Sequence, residues 1–210
     1  MACLKESFSR ESEEYYLKTS VWEDISPAQM LVPAREACEI AAYDLNTVGI
    51  EEVREVDARF ELAIGGGGHA RQHHRFGGGA ENGGGAEGAP AGAGGAEGAG
   101  WDGVMTMSGF LGWFDVSFEG SREHPVPGDG VVTLTTAPSE RGATHWGQQG
   151  FLLAPELHVR AGDRIAGRIQ CRRRADNHRL LNVGIEFAHA STVNGIRYNS
   201  EAVRAVFQMD

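Results

Sequence analysis

Residues 65–100 set the limit on what this chain can fold into. They hold 16 glycines and 8 alanines among 36 residues, and such a composition cannot bury enough apolar surface to offset its own ordering entropy. A disordered insert is expected there, which leaves roughly 174 of the 210 residues to build a packed structure. Loop-closure entropy grows only slowly with length, so a hairpin connection can carry the insert while the domain around it stays folded. Gly65-Gly66-Gly67-Gly68 after an alternating apolar segment superficially matches a dinucleotide-binding turn. That turn needs a helix directly after the glycines and an acid about 20 residues on. Here His69-Ala70-Arg71-Gln72-His73-His74-Arg75 and more glycine follow, so no cofactor-binding residue is assigned. His69, His73 and His74 lack a fixed scaffold and an acidic co-ligand, and no metal site is assigned to them.

On either side of the insert, apolar residues alternate. Val56, Ala58, Phe60, Leu62 and Ile64 repeat at period two with Arg59 and Glu61 facing out. A weaker pattern through Ile40, Ala42 and Asp44, then Val48, Ile50 and Val53, extends the strand reading back to residue 36. Past residue 100 the alternating sets are Phe114, Val116 and Phe118, then Val132, Leu134 and Thr136 before Pro138. Residues 151–153 follow, then Ile165, Gly167 and Ile169 within 164–174, and then Leu181, Val183, Ile185 and Phe187. A final strand carries Ile196, Tyr198, Val203 and Val206. Turn signals separate them: Pro125, Pro127 and Gly128; Ala161-Gly162-Asp163; Asp176-Asn177; and Asn194-Gly195, the preferred two-residue hairpin pair. About eight to ten short antiparallel strands predict a mainly β fold, a barrel or sandwich. Residues 5–24 read as a short helical arm, with Leu17 and Val21 four apart on one face. Ser26-Pro27 reads as a helix start, Ser26 as its cap. Tyr15, Tyr16 and Trp22 on that arm either pack on the domain that follows or face a partner.

The net charge of −10 is uneven, with 14 acids and 6 bases in residues 1–64 against 12 and 11 in residues 101–210. No basic face is available, which argues against nucleic acid or an anionic membrane as partner. Arg168, Arg172, Arg173, Arg174 and Arg179 against Asp176 read as a solvated face. Cys3, Cys38 and Cys171 give neither a disulfide framework nor metal-ligand spacing. No apolar run approaches the ~18 residues of a membrane span, and residues 1–6 lack the apolar core of a secretory leader. Cytoplasm or nucleus is the expected compartment.

One loop stands apart: Gly142-Ala143-Thr144-His145-Trp146-Gly147-Gln148-Gln149, ahead of Phe151-Leu152-Leu153. Imidazole changes charge near physiological pH, and indole is a flat apolar wall with one donor. On residue types alone, Trp146 reads as a core anchor at a strand start with His145 its satisfied neighbour, since one His–Trp pair is weak evidence for a site.

In context the loop reads differently. Gly109-Phe110-Leu111-Gly112-Trp113-Phe114-Asp115-Val116, Leu134-Thr135-Thr136-Ala137-Pro138, Thr144-His145-Trp146-Gly147-Gln148-Gln149, Ala161-Gly162-Asp163 and Asn177-His178-Arg179-Leu180 follow in an order and spacing that resemble the C-terminal barrel of the protein arginine methyltransferases. The wording looks most like the plant branch numbered tenth. Tyr15-Tyr16-Leu17-Lys18-Thr19-Ser20-Val21-Trp22 is similar to the end of that branch's dimerisation arm. The implied organisation is an arm remnant over residues 1–26, a barrel over 27–64 and 101–210, and the insert over 65–100. The resemblance implies methyl transfer from S-adenosylmethionine to a guanidino nitrogen of a protein arginine, with histones among candidate substrates, in an enzyme that works as a homodimer. It also implies that Thr144 and Trp146 line the substrate pocket and that His145 is catalytic, facing an acidic hairpin on the cofactor domain. Guanidinium stays protonated in water, so its attack requires a placed nitrogen, buried acceptors and a wall against water.

The sequence departs from the family in one large respect. Residues 1–210 hold no strand, glycine turn and helix in succession, and Glu13-Glu14 and Glu51-Glu52 lie in the arm and in a barrel strand, where they read as solvated charges. The methyltransferase cofactor domain is therefore expected to be absent, S-adenosylmethionine is not expected to bind this chain alone, and the chain is expected to hold half an active site. The alternative is a non-catalytic module that docks on a full-length methyltransferase and regulates it. A third reading, an unrelated sugar-binding β-sandwich, leaves the motif order unexplained.

Overall fold

The computed structural model describes residues 15–65, 103–140 and 144–209. The residues between Gly65 and Gly103, with the disorder expected for the insert and the three histidines in it, lie outside the described residues, as does the arm before Tyr15. The strands are β1 (Val21–Glu23), β2 (Glu55–Ala63), β3 (Val104–Gly112), β4 (Asp115–Phe118), β5 (Val132–Thr135), β6 (Gln148–Arg160), β7 (Arg164–Arg173), β8 (Leu181–Val193), β9 (Ile196–Asn199) and β10 (Val203–Met209). The mainly β expectation is borne out.

Every strand pair is antiparallel. One sheet runs β1-β6-β3, a second runs β10-β8-β7-β2 with β9 on the end of β8, and β4 pairs with β5. Segment 18–20 joins the first two sheets, because Ser20 N–H donates to Gln208 O at 2.9 Å and Gln208 N–H donates to Lys18 O at 2.7 Å. At the other end Ile64 N–H donates to Asp163 O, and Gly162 N–H to Ile64 O, both at 2.8 Å. The core lies between the sheets. Val159, Ile165 and Phe207 are fully buried there, and Phe110 bridges Phe60 and Phe187 edge to face.

Alternation set most of these strands. In β8, Val183, Ile185 and Phe187 point inward as expected, and in β7 Ile165 does the same. Asn194 and Gly195 both take positive φ, 52° and 77°, and close the β8–β9 hairpin. Ser26 precedes a single 3-10 turn over Pro27–Gln29, whose Gln29 Oε1 accepts from Ser26 N–H at 2.9 Å.

Four expectations are corrected. Residues 17–24 are not helical: the helical turn at Tyr15 and Tyr16 stops, and β1 pairs with Gln148, Gln149 and Gly150 because an open sheet edge satisfies the backbone of Val21 and Trp22. The pattern from Glu36 to Val53 forms no strand. Asp44 takes over the backbone there: its side chain accepts from Asn46 N–H and its carbonyl from Val48 N–H. Strand β6 runs on well past Leu153, through a cis peptide at Ala154–Pro155 and a register shift opposite Ser108; a bulge is one of the places where a strand admits proline. The final strand expected through Ile196, Tyr198, Val203 and Val206 is two strands, β9 and β10, which pair with different stretches of β8, and Phe207 is the buried anchor of the second.

Candidate functional site

The Thr-His-Trp loop enters β6 beside the end of β1, the start of β4 and the end of β5. Gly147 takes φ +54°, and a Cβ there would lie 3.0 Å from Glu23 O and 3.1 Å from Cε3 of Trp22. Glycine is therefore required twice, for the left-handed turn and for the approach of the Trp22 indole. Gly147 N–H donates to Thr144 O at 3.1 Å, which closes the turn.

This turn projects the rings outward. The His145 and Trp146 ring centroids lie 3.8 Å apart with planes 34° from parallel. Phe114 meets the Trp146 indole edge on, at 6.2 Å and 71°. His145 is exposed, and Trp22, Phe114 and Trp146 are 56 %, 46 % and 40 % exposed. The bland expectation that Trp146 is a core anchor is not met. Thr144 is half-buried, and its Oγ1 is buried with no protein partner, as is Oε1 of Gln149.

The anchor is Gln148. It is 2 % exposed; its Nε2–H donates to Thr136 O at 2.8 Å, and its Oε1 accepts from Ile25 N–H at 2.9 Å. Thr136, also buried, holds Phe114 in turn. Its Oγ1 accepts from Phe114 N–H at 3.1 Å, and both its hydroxyl and its N–H donate to Phe114 O at 3.0 Å. Sequence reading missed Gln148, because nothing local in Gly-Gln-Gln distinguishes a surface amide from a buried one. Its partners lie 12 and 123 residues away.

Away from the loop, Arg168 and Arg172 of the arginine run lie on an exposed sheet face, as expected, and have acidic partners there, while Arg173 donates to His178 O. Arg168 pairs with Asp57, Arg172 with Glu55, Arg164 with Glu61 and Arg174 with Asp176. The Arg168 guanidinium and the Gln170 amide hold the Asp57 carboxyl down at about 2. Glu51 and Glu52 sit in a turn before β2 rather than in a strand, Glu51 paired with Arg54 at 3.3 Å. Among the described residues no group of three metal-ligating side chains occurs. The described helical segments are three 3-10 turns of three residues and the turn at Tyr15 and Tyr16. No strand–glycine turn–helix unit of the kind that binds a dinucleotide is present among these residues.

An antiparallel barrel carrying this loop on the first turn into β6 belongs to a defined class. The chain is a member of the arginine methyltransferase family, matching the arginine methyltransferase oligomerization subdomain over residues 1–192. Among individual proteins it is similar to protein arginine N-methyltransferase PRMT10 of Oryza sativa subsp. japonica, at 31 % identity over 87 % of this chain and 37 % of the rice protein. The Arabidopsis thaliana PRMT10 protein is 30 % identical over the same shares. The chain thus spans just over a third of the length of the curated relatives it matches. Among solved structures, the crystal structure of Arabidopsis thaliana protein arginine methyltransferase 10 superposes with a TM-score of 0.65 and 24 % identity, covering 99 % of this chain and 47 % of the other. The Trypanosoma brucei PRMT1 enzyme–prozyme heterotetrameric complex with AdoHcy gives 0.56 and 18 %, covering 93 % and 44 %.

Proposed function

We propose that this chain is the substrate-side barrel of a protein arginine N-methyltransferase and supplies one wall of the arginine pocket. The observation that carries the reading is the stacked His145–Trp146 pair, held outward on a buried anchor instead of packed into the core. The reaction moves a methyl group from S-adenosylmethionine to a guanidino nitrogen, which loses a proton. The cofactor and the carboxylates that grip the guanidinium come from a domain outside this chain. Trp146 bounds the pocket and keeps water off the cation, whose face an indole attracts. His145 orients the guanidinium or takes the departing proton at a ring nitrogen. Thr144 Oγ1, buried and without a protein partner, accepts a donor from the arriving substrate or domain. Alone, the chain does not bind S-adenosylmethionine and is inactive. Calorimetry on the purified chain is expected to show no heat of binding, and micromolar affinity would contradict the reading. In an enzyme reconstituted with this chain as its barrel, His145→Ala and Trp146→Ala are each expected to lower methyl transfer about 10- to 100-fold with the melting temperature held. Unchanged rates would remove both residues from the pocket.

A second reading has its own support. Tyr15, Tyr16 and Trp22 are 56 %, 46 % and 56 % exposed at the arm and the edge of the first sheet, an aromatic surface suited to a partner. The Trypanosoma neighbour is itself an enzyme–prozyme assembly. In this reading the chain docks on a full-length methyltransferase and regulates it. Co-purification with a full-length relative, weakened by Trp22→Ala, supports it; a monomeric chain in the relative's presence counts against it.

A further inference from the structure

We propose that Gln148 is a positioning residue that sets the angle of the His145–Trp146 wall; the inference rests on the pocket reading above. The contacts close a ring. Trp146 is joined through Gly147 to Gln148; the Gln148 amide donates to Thr136 O; Thr136 grips Phe114 by its hydroxyl and its N–H; and the Phe114 ring returns to the edge of Trp146. Gln148 is the member at which the ring opens. Its carboxamide is buried, and its Oε1 also holds Ile25 just past β1, so the loop is fixed to two neighbouring segments by one side chain. A buried amide that uses its oxygen and its nitrogen on two different segments fixes a relative position as well as a stability, because each partner accepts one placement only.

The chemistry distinguishes placement from bulk packing. Glutamate at 148 has the same shape and still accepts from Ile25 N–H, but as a carboxylate it cannot donate to Thr136 O. Two oxygens then face each other without a proton, and the link toward Phe114 opens while the packing is retained. Protonation restores a donor at the same place, and burial favours the neutral form.

The test is fluorine NMR on the chain labelled with 5-fluorotryptophan, the Trp146 signal being identified by Trp146→Phe. Gln148→Glu in mildly alkaline buffer, where a buried carboxyl is ionised, is expected to displace the Trp146 signal by more than the Trp113 signal. The displacement, read as the difference from the parent chain at the same pH, should shrink as the buffer is made acidic. Thr136→Val, which keeps the backbone acceptor but cuts the hydroxyl link to Phe114, is expected to displace the same signal if Gln148→Glu fails to fold. A Trp146 signal at the parent position in either folded variant would overturn the inference, and so would an equal displacement of both tryptophan signals. Neither readout needs arginine or a partner domain, so failure here is separable from failure of the pocket reading.

Discussion

Asp163 is 2 % exposed and accepts from Arg160 N–H at 2.7 Å, with His189 Nε2 at 2.7 Å on the same oxygen. Burial works to raise its carboxyl, yet the neighbouring Ser191 hydroxyl, the Arg160 N–H and the His189 ring together hold it below the ordinary range. A carboxyl whose folded pKa lies under its unfolded value of about 3.9 contributes stability that is fully present above that value. The contribution is lost as pH falls through the folded value. Thermal melts are expected to hold steady down to about pH 5 and then fall toward pH 3. Asp163→Asn is expected to melt lower at neutral pH and to lose part of that acid slope; an unchanged slope would move the acid sensitivity elsewhere. The sequence marked Ala161-Gly162-Asp163 as a turn but not the burial of its carboxylate, because the ring that meets it stands 26 residues on in β8. The same holds at the candidate site. Thr144, His145 and Trp146 could be picked out from residue types and motif order. Gln148 could not, since its partners are backbone groups and any residue type would supply them.

Strand elements were legible wherever one face alternates cleanly. Strands β2, β7 and β8 carry their buried residues at period two, and a one-residue slip would expose the whole set. Gly167 shows how tightly β7 and β8 approach: a Cβ there would lie 2.3 Å from Glu186 O and 2.8 Å from the Phe60 ring. Gly167→Ala is therefore expected to destabilise by about 1–3 kcal/mol or more, read by urea denaturation; a neutral result would mean that the two strands can separate freely. On the outward face the cross-strand pairs are exposed. Asp57→Asn is expected to lower the melting temperature slightly in dilute buffer and not at all in 1 M salt, as befits screened surface charge. A salt-independent loss would place that pair in the core ledger instead. Elements were illegible where tertiary context outweighs local pattern. The strand read over residues 151–153 runs on through a bulge that holds Pro155, and residues 17–24 read as a helical face yet include the edge strand β1. Val206 mimics an inward residue beside Phe207, and only the register with Val183 shows which of the two faces the core.

At the scale of the whole molecule, the fold presents an aromatic face made by parts far apart in sequence. Trp22 packs over Gly147, His145 stacks on Trp146, and Phe114 meets Trp146 from just before β4. The motif order made the family legible, because five short motifs in the right sequence constrain a fold more than any one of them does. The partner of that face was not legible, since exposed aromatic side chains mark a surface without naming the chemistry that meets it. The central claim is that this barrel completes a methyltransferase with a cofactor domain from outside it. The most direct measurement titrates the purified chain into the cofactor domain of rice PRMT10 with labelled S-adenosylmethionine and an arginine-containing protein. Methyl transfer is expected to be negligible with either component alone, to rise with chain concentration, and to saturate. Transfer that ignores the added chain, or transfer by the chain alone, would contradict the account.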